Sequence, residues 1–171
     1  MARRKRRNRK KNNNQKKTSY NRDKNPKKNK KEEITFKMRQ VIEQIDSKHE
    51  FSEISVVKIT NDNGLAYETA EAFIAEEVNY TQVRNLYAHV KKIERNCKDW
   101  DSIKAELFLL KPRLASKYAQ KNISKGFYDL MMLCIERINA GTNQKENFNR
   151  FVYYFESTVA FHKYLGEINN V

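Results

Sequence analysis

From residue 34 onward, apolar residues recur at the three- and four-residue spacing of one helical face, in segment after segment. This periodicity predicts amphipathic helices, because a half-buried strand would instead alternate polar and apolar residues. The chain has only four glycines and two prolines, and no pair of strand-like runs flanks a hairpin turn. We therefore predict an all-α fold, a bundle of about five helices.

The first half of this region predicts three helices and one extended segment. Helices are expected over Glu32–His49 and Leu65–Val78, and another from about Thr81 onward. Between the first two, the β-branched run Ser52–Thr60 favours an extended segment, although no partner strand is evident. The sequence Asn-Asp-Asn-Gly that follows at 61–64 predicts a turn.

The second half predicts further helices with recognisable ends. One begins near Asp101, and Pro112 should kink or divide it because proline removes a backbone donor and clashes with the preceding turn. The next carries the apolar stripe Phe127–Ile138 and stops at Asn139–Gly141. The last is expected over Asn143–Gly166 and is apolar on most sides, which predicts that it lies at the centre of the bundle.

Positive charge is concentrated at the N-terminus. Residues 1–31 hold 16 of the 35 Lys and Arg and one acid, so this segment is +15 and the remainder of the chain is −1. Almost nothing in residues 1–31 is apolar, so burial cannot offset the entropy of ordering them. We predict a disordered basic arm over 1–31 and a single helical domain over 32–171. Such an arm is typical of nucleic-acid binding, and a solubilising tail is the alternative.

Several function classes find no support. No segment reaches the roughly 18 to 20 apolar residues that a membrane span requires, and the N-terminus lacks the apolar centre of a signal peptide, so a cytoplasmic protein is expected. Cys97 and Cys134 are far apart and the three histidines are scattered, which matches no zinc-ligand spacing. Neither a glycine-rich phosphate loop nor a catalytic triad context is present. We expect no metal, no cofactor and no enzymatic activity.

Cations on the predicted helices are the candidate binding residues. Residues 81–171 carry fifteen Lys and Arg against nine Asp and Glu, whereas residues 32–80 carry four against eleven. Arg113, Lys117 and Lys121 recur every four residues. On a helix these three side chains would lie along one line, with about 6 Å between neighbours, a spacing that can follow successive phosphates. An ordinary solvated face is the alternative interpretation. The candidate RNA-binding residues are Arg84, Lys91, Arg95, Lys111, Arg113, Lys117 and Lys121.

Three segments in order carry a family resemblance. They are "TQVRNLY" at 81–87, "LLKPRLASKYAQK" at 109–121 and "FVYYFESTVAFHKYLG" at 151–166. Together they resemble the small helical subunit of type III-A CRISPR effectors, the Csm complexes, over residues 65–166. Arg84 and Lys163 match family positions, which adds Lys163 to the candidates. Ser116 stands where the family usually has Tyr, and Gln120-Lys121 stands where it usually has Gly-Arg.

The resemblance implies a helical, non-enzymatic subunit that binds RNA without reading its sequence. Its implied partners are the CRISPR guide RNA, the target RNA, the guide-binding backbone subunit, the large subunit and further copies of itself in a stacked filament. In that setting the contacts go to the RNA backbone of the guide–target duplex or the target strand. The alternative is a free-standing basic RNA-binding or ribosome-associated protein whose N-terminal arm does the binding.

Overall fold

The computed structural model describes residues 34–168, and this part of the chain is helical with no strand. The all-α prediction is therefore confirmed. Six helices have eleven residues or more, and one lies at each of the six positions where the sequence predicted a helix, although the bundle was expected to have about five. A five-residue helix and a 3-10 turn complete the described elements. The helices are α1 (Phe36–Asp46), α2 (Val56–Thr60), α3 (Leu65–Ala75), α4 (Tyr80–Asn96), α5 (Trp100–Ala119), α6 (Lys125–Asn139) and α7 (Gln144–Ile168), with the 3-10 turn at Phe51–Glu53.

The helices begin where a polar side chain can satisfy a free backbone N–H group. Thr35, Ser55, Asp99 and Ser124 each precede a helix and accept a hydrogen bond from the N–H three residues on. Asn79 caps α4 by accepting from the N–H of Thr81, and the Gln82 side chain accepts from the N–H of Asn79 in return. Two of these caps, Asn79 and Asp99, fix the entry of α4 and α5, the two helices that carry most of the candidate cations.

Helix α7 lies at the centre of the bundle, as its composition predicted. It packs against α2, α3, α4, α6 and the 3-10 turn, and ten of its residues are buried. Phe51 from the 3-10 turn meets Phe151 edge-on, with ring centroids 5.8 Å apart, and Phe155 stacks on Phe151 at 5.6 Å. Buried apolar residues from Met38 to Val159 form one cluster around this helix.

The segment Ser52–Thr60 is not extended, and that prediction was wrong. Ser55 caps the short helix α2 by accepting from the N–H of Lys58 at 3.2 Å, and Ile59 is buried. The N–H of Ser52 donates to the buried side chain of Asn147 in α7 at 2.8 Å. A strand would leave these backbone groups without partners here, so capping and packing outweigh the β-branched preference. Asn61–Gly64 forms a turn, as predicted.

Pro112 does not divide α5, which continues for seven more residues to Ala119, and the kink expected as the other outcome stays a prediction. The expectation that Gly166 ends the last helix was wrong. Helix α7 passes through Gly166 and reaches Ile168, since one glycine near an exposed helix end costs only about 1 kcal/mol. The stop after α6 is as predicted, because Gly141 has a left-handed φ of 61° just past the helix.

Residues 1–31, predicted to form the basic arm, lie outside the described residues. Within residues 34–168, no helix is both long and apolar enough to cross a membrane. The same part of the chain contains no group of three or more His, Cys, Asp or Glu placed to hold a metal ion.

Candidate nucleic-acid interface

Helices α4 and α5 pack side by side and leave a trough between them. Arg113 on α5 crosses this trough, and its Nη1 lies 3.0 Å from Nε2 of His89 on α4. A guanidinium can only donate, so Nε2 must be the accepting nitrogen of a neutral imidazole. Burial lowers the pKa of His89, and the nearby charge of Arg113 lowers it further. His89 is therefore neutral at pH 7 and holds the arginine in place while its charge faces solvent.

On one side of this pair the trough deepens into a hollow of about 230 Å³, which we call the α4–α5 hollow. Its floor consists of buried apolar side chains from α5, α6 and the loop between them, and its rim is polar and cationic. The floor residues are Leu110, Leu114, Ile123 and Phe127, and the remaining lining residues are Gln82, Asn85, Leu86, His89, Arg113 and Lys117.

The far side of the Arg113–His89 pair has a different lining. A second depression of about 250 Å³ lies there between the same two helices, and Arg113 and His89 form part of both walls. It also includes Lys92, Cys97 and the carboxylate of Glu106. The acid makes this depression a poorer place for an anion than the α4–α5 hollow.

Arg113 and Lys117 both have exposed side chains at the rim of the hollow. Neither forms an ion pair with an acidic side chain within residues 34–168. Unpaired cations that stand one helical turn apart are available to neutralise phosphates. The spacing argument made from sequence thus holds for these two residues.

Lys121 does not continue the row, because α5 ends before it. The N–H of Lys121 donates to the carbonyl of Tyr118 at 2.8 Å, and the N–H of Asn122 donates to the carbonyl of Lys117 at 2.9 Å. These two bonds form a Schellman motif, with Lys121 in the left-handed region at φ 59°. The interpretation of Arg113, Lys117 and Lys121 as one straight helical line was therefore wrong.

Three candidates on α4 lie on another surface. At 3.6 residues per turn, Arg84, Lys91 and Arg95 share the flank of α4 that faces away from the hollow. Lys91 is half-buried and forms two ion pairs. One is with Glu94, and the other is with Glu156 of α7, where the charged atoms lie 4.0 Å apart. The hydrogen bond to Glu94 is the main reason that the pKa of Lys91 is raised. This lysine is already neutralised by protein carboxylates, whereas Arg84 remains exposed and has no ion-pair partner in the described part.

Comparison with protein-family models identifies the family of this chain. A family model described as Csm2 Type III-A matches residues 57–167, well over half of the chain. The chain belongs to the Csm2 type III-A family. Members of this family are structural subunits of the Csm complex of type III-A CRISPR systems, so the resemblance noted in the sequence is confirmed. Neither the curated proteins nor the solved structures that were compared include a significant match.

Every residue that lines the α4–α5 hollow lies inside the Csm2 match, whereas residues 1–31 lie outside it. Two other candidates of this Csm2-family chain, Lys111 and Lys163, do not line the hollow. Lys163 lies on α7 with its Nζ 3.7 Å from Glu167, and Lys111 lies with its Nζ 5.0 Å from the centroid of the Phe108 ring. Both charges already have a partner within the Csm2-family fold.

Asn85 and His89 were missed by the sequence reasoning. Together with Gln82 and Leu86 they occupy positions i, i+3, i+4 and i+7 on the face of α4 that lines the hollow. This spacing was visible in the sequence, but three of its four residues are polar and only Leu86 is apolar, so it did not register as an apolar stripe. Only the position of α5 shows that the Csm2-family chain uses this face as a wall.

Proposed function

We propose that this chain is a non-catalytic subunit of the Csm complex that contacts the RNA backbone with the α4–α5 surface. The observation that carries the proposal is the exposed pair Arg113 and Lys117, which has no acidic partner in residues 34–168. The phosphates contacted belong to the target strand or the guide–target duplex. Guide pairing supplies sequence specificity, so the protein contributes contacts that are indifferent to base identity.

The role of Glu76 supports a non-catalytic subunit. The sequence has a Glu76-Glu77 pair, the kind of acid pair that general acid–base chemistry uses. In the fold, Glu76 accepts hydrogen bonds from the N–H of Thr35 at 3.2 Å and from the hydroxyl of Ser124 at 2.5 Å. It therefore connects the ends of α1, α3 and α6. Gly126 permits this connection, because a Cβ there would lie 2.2 Å from the carboxylate.

The proposed partners of the subunit are the guide RNA, the target RNA, the guide-binding backbone subunit, the large subunit and further copies of this chain. Family membership supports partnership with other Csm subunits. The opposite charges of the two halves, −7 for residues 32–80 and +6 for residues 81–171, favour stacking of one copy on the next.

The N-terminal arm offers a second candidate for the RNA-binding element. Residues 1–31 carry a charge of +15, more than any other part of the chain, and they lie outside the family match. Deleting residues 1–31 separates the two possibilities. The Csm complex is assembled with full-length or truncated subunit, assembly is checked by size-exclusion chromatography, and target-RNA affinity is measured by filter binding. We expect the truncated subunit to support most of the affinity, whereas a loss to the level of a complex without the subunit would assign binding to the arm.

A further inference from the structure

The α4–α5 hollow has the size of a site for part of a ligand. Its volume of about 230 Å³ lies below the roughly 300 to 1,000 Å³ of pockets that enclose whole drug-sized molecules. It is open to solvent on one side, between Arg113 and Lys117 on α5 and Asn85 on α4. A flat ring system fits such a space, with the rest of its molecule remaining outside.

The lining of the hollow selects an occupant with an apolar body and a negative charge. Leu86, Leu110, Leu114 and Phe127 offer apolar contacts, and two cations stand at the rim. No acidic side chain of the described residues lines it. The hollow therefore repels no anion, and its floor favours a group that water hydrates poorly.

The two amide side chains in the wall are not equivalent. Gln82 is engaged at both ends of its amide, because its oxygen accepts from the N–H of Asn79 and its NH₂ group donates to the carbonyl of Asn122. The side chain of Asn85 is exposed and makes no hydrogen bond within the described part of the chain. Its amide is free to pair with the edge of an occupant at the mouth of the hollow.

We propose that the α4–α5 hollow takes the base of one unpaired nucleotide of the bound RNA, with the adjacent phosphate on Arg113 and Lys117. A nucleotide is the RNA component that joins a flat, poorly hydrated ring to a negative charge, as the apolar floor and the cationic rim of the hollow require. The base must be unpaired, because both faces of a paired base are covered by its neighbours in the helix. This inference rests on the proposed function and deepens it, since it specifies which part of the RNA each side chain contacts.

Such a site does not make the subunit sequence-specific. The floor contacts the faces of a base, and every base has such a face. The Asn85 side chain offers one amide at an exposed edge of the wall, and a single amide distinguishes bases weakly compared with a buried bidentate pair. The hollow thus increases affinity for unpaired RNA while remaining tolerant of its sequence.

The test is a methyl NMR titration of the full-length chain with selectively labelled leucines. The probes are adenosine monophosphate and, as the matched control without a base, ribose 5-phosphate. We expect the methyl signals of Leu86, Leu110 and Leu114 to move with adenosine monophosphate only, because ring currents act at close range. The Arg113 side-chain signal should move with both probes, and Leu165 of α7 should move with neither. In Asn85→Trp, whose indole would cover the mouth, the leucine shifts should disappear while the Arg113 shift persists.

The possible contrary results are distinguishable. Movement of the Arg113 signal without any leucine response, or an equal leucine response to both probes, would overturn the base site and leave phosphate contact intact. If neither probe moves Arg113 or the leucines, the base site fails and the proposed RNA surface fails with it. If the leucine signals instead change with protein concentration in the absence of nucleotide, a second copy of the chain occupies the hollow, and the inference is wrong.

Discussion

Arg113 donates a hydrogen bond to Nε2 of His89 across the trough between α4 and α5, with 3.0 Å between the nitrogens. The hydrogen bond to His89 gives Arg113 a fixed position and leaves its charge intact. An acidic partner would fix the side chain but would also neutralise its charge. A phosphate that approaches the rim of the hollow thus meets a charge whose side-chain entropy has already been partly lost.

The same pair predicts a pH dependence of RNA binding. The folded-state pKa of His89 is lowered from its ordinary value of 6.5, so the imidazole is neutral at pH 7 and gains its charge only below about pH 6.5. Protonation ends the acceptor role of Nε2 and adds a third cation beside Arg113 and Lys117. RNA affinity should therefore rise between pH 7.5 and 5.5 more steeply in the wild type than in His89→Gln. Fluorescence anisotropy with a labelled oligoribonucleotide measures the RNA affinity of both proteins at each pH. Parallel pH profiles would show that His89 does not contribute to RNA binding.

His162 predicts a pH dependence of stability. This histidine is buried between Tyr80, stacked at 6.0 Å, and the edge of Phe73 at 6.1 Å. Burial lowers the pKa of His162 in the folded state, so below about pH 6.5 the unfolded chain binds the proton more readily. The stability that the neutral ring contributes is complete above pH 6.5 and is lost as the pH falls.

The variant His162→Phe isolates this effect from other titrating groups. Urea unfolding at pH 7.5 and 5.5 should show a smaller loss of unfolding free energy in His162→Phe than in the wild type. If both proteins lose the same free energy on acidification, another group causes the acid sensitivity.

Lys121 predicts a stabilising substitution. Its φ of 59° is unfavourable for a residue with a Cβ, whereas glycine adopts it freely. Lys121→Gly should raise the unfolding free energy by about 1 kcal/mol. The matched control is Lys117→Gly, which places glycine inside α5 and should lower stability by about 0.7 kcal/mol. Two urea titrations decide the matter, and a destabilised Lys121→Gly would mean that α5 does not end in the motif described.

Leu114 predicts a large cost for truncation. It is 3% exposed on α5, next to the exposed Arg113, whereas Leu109 on the same helix is 49% exposed. Leu114→Ala should cost about 2 to 5 kcal/mol, and Leu109→Ala should change stability by less than about 1 kcal/mol. Thermal melting of the two variants compares them directly, and similar melting temperatures would contradict the burial pattern of α5.

Much of the fold was predictable because long helices repeat their signal. The stripe of α6 and the apolar breadth of α7 each extend over three turns or more, so single exceptions do not hide them. The conformation of Ser52–Thr60 was not predictable, because the helix α2 within it has only five residues, too few to show a helical period. The Ser55 cap decides that these residues form a helix. The end of α5 was also hidden, since the left-handed residue there is Lys121 rather than glycine.

The site was predictable only in part for a similar reason. Arg113 and Lys117 are visible as a spaced pair, but sequence does not say which helix faces them. Asn85 and His89 become relevant only because α4 lies against α5. Lys91 was assigned to RNA for its charge, and its pairing with Glu156 of α7 depends on a contact between helices distant in sequence.

The central claim, that Arg113 and Lys117 hold RNA phosphates, is tested most directly by the salt dependence of target-RNA binding. The assembled complex is compared with one that carries Arg113→Ala and Lys117→Ala, and with a control that carries Lys111→Ala and Lys163→Ala, which removes the same charge elsewhere. Each lost phosphate contact lowers the slope of log affinity against log salt by about 0.7 to 0.9. We predict a decrease of up to about two units per copy for the first variant and little change for the control. Equal slopes in all three complexes would contradict the account and return Arg113 and Lys117 to an ordinary solvated face.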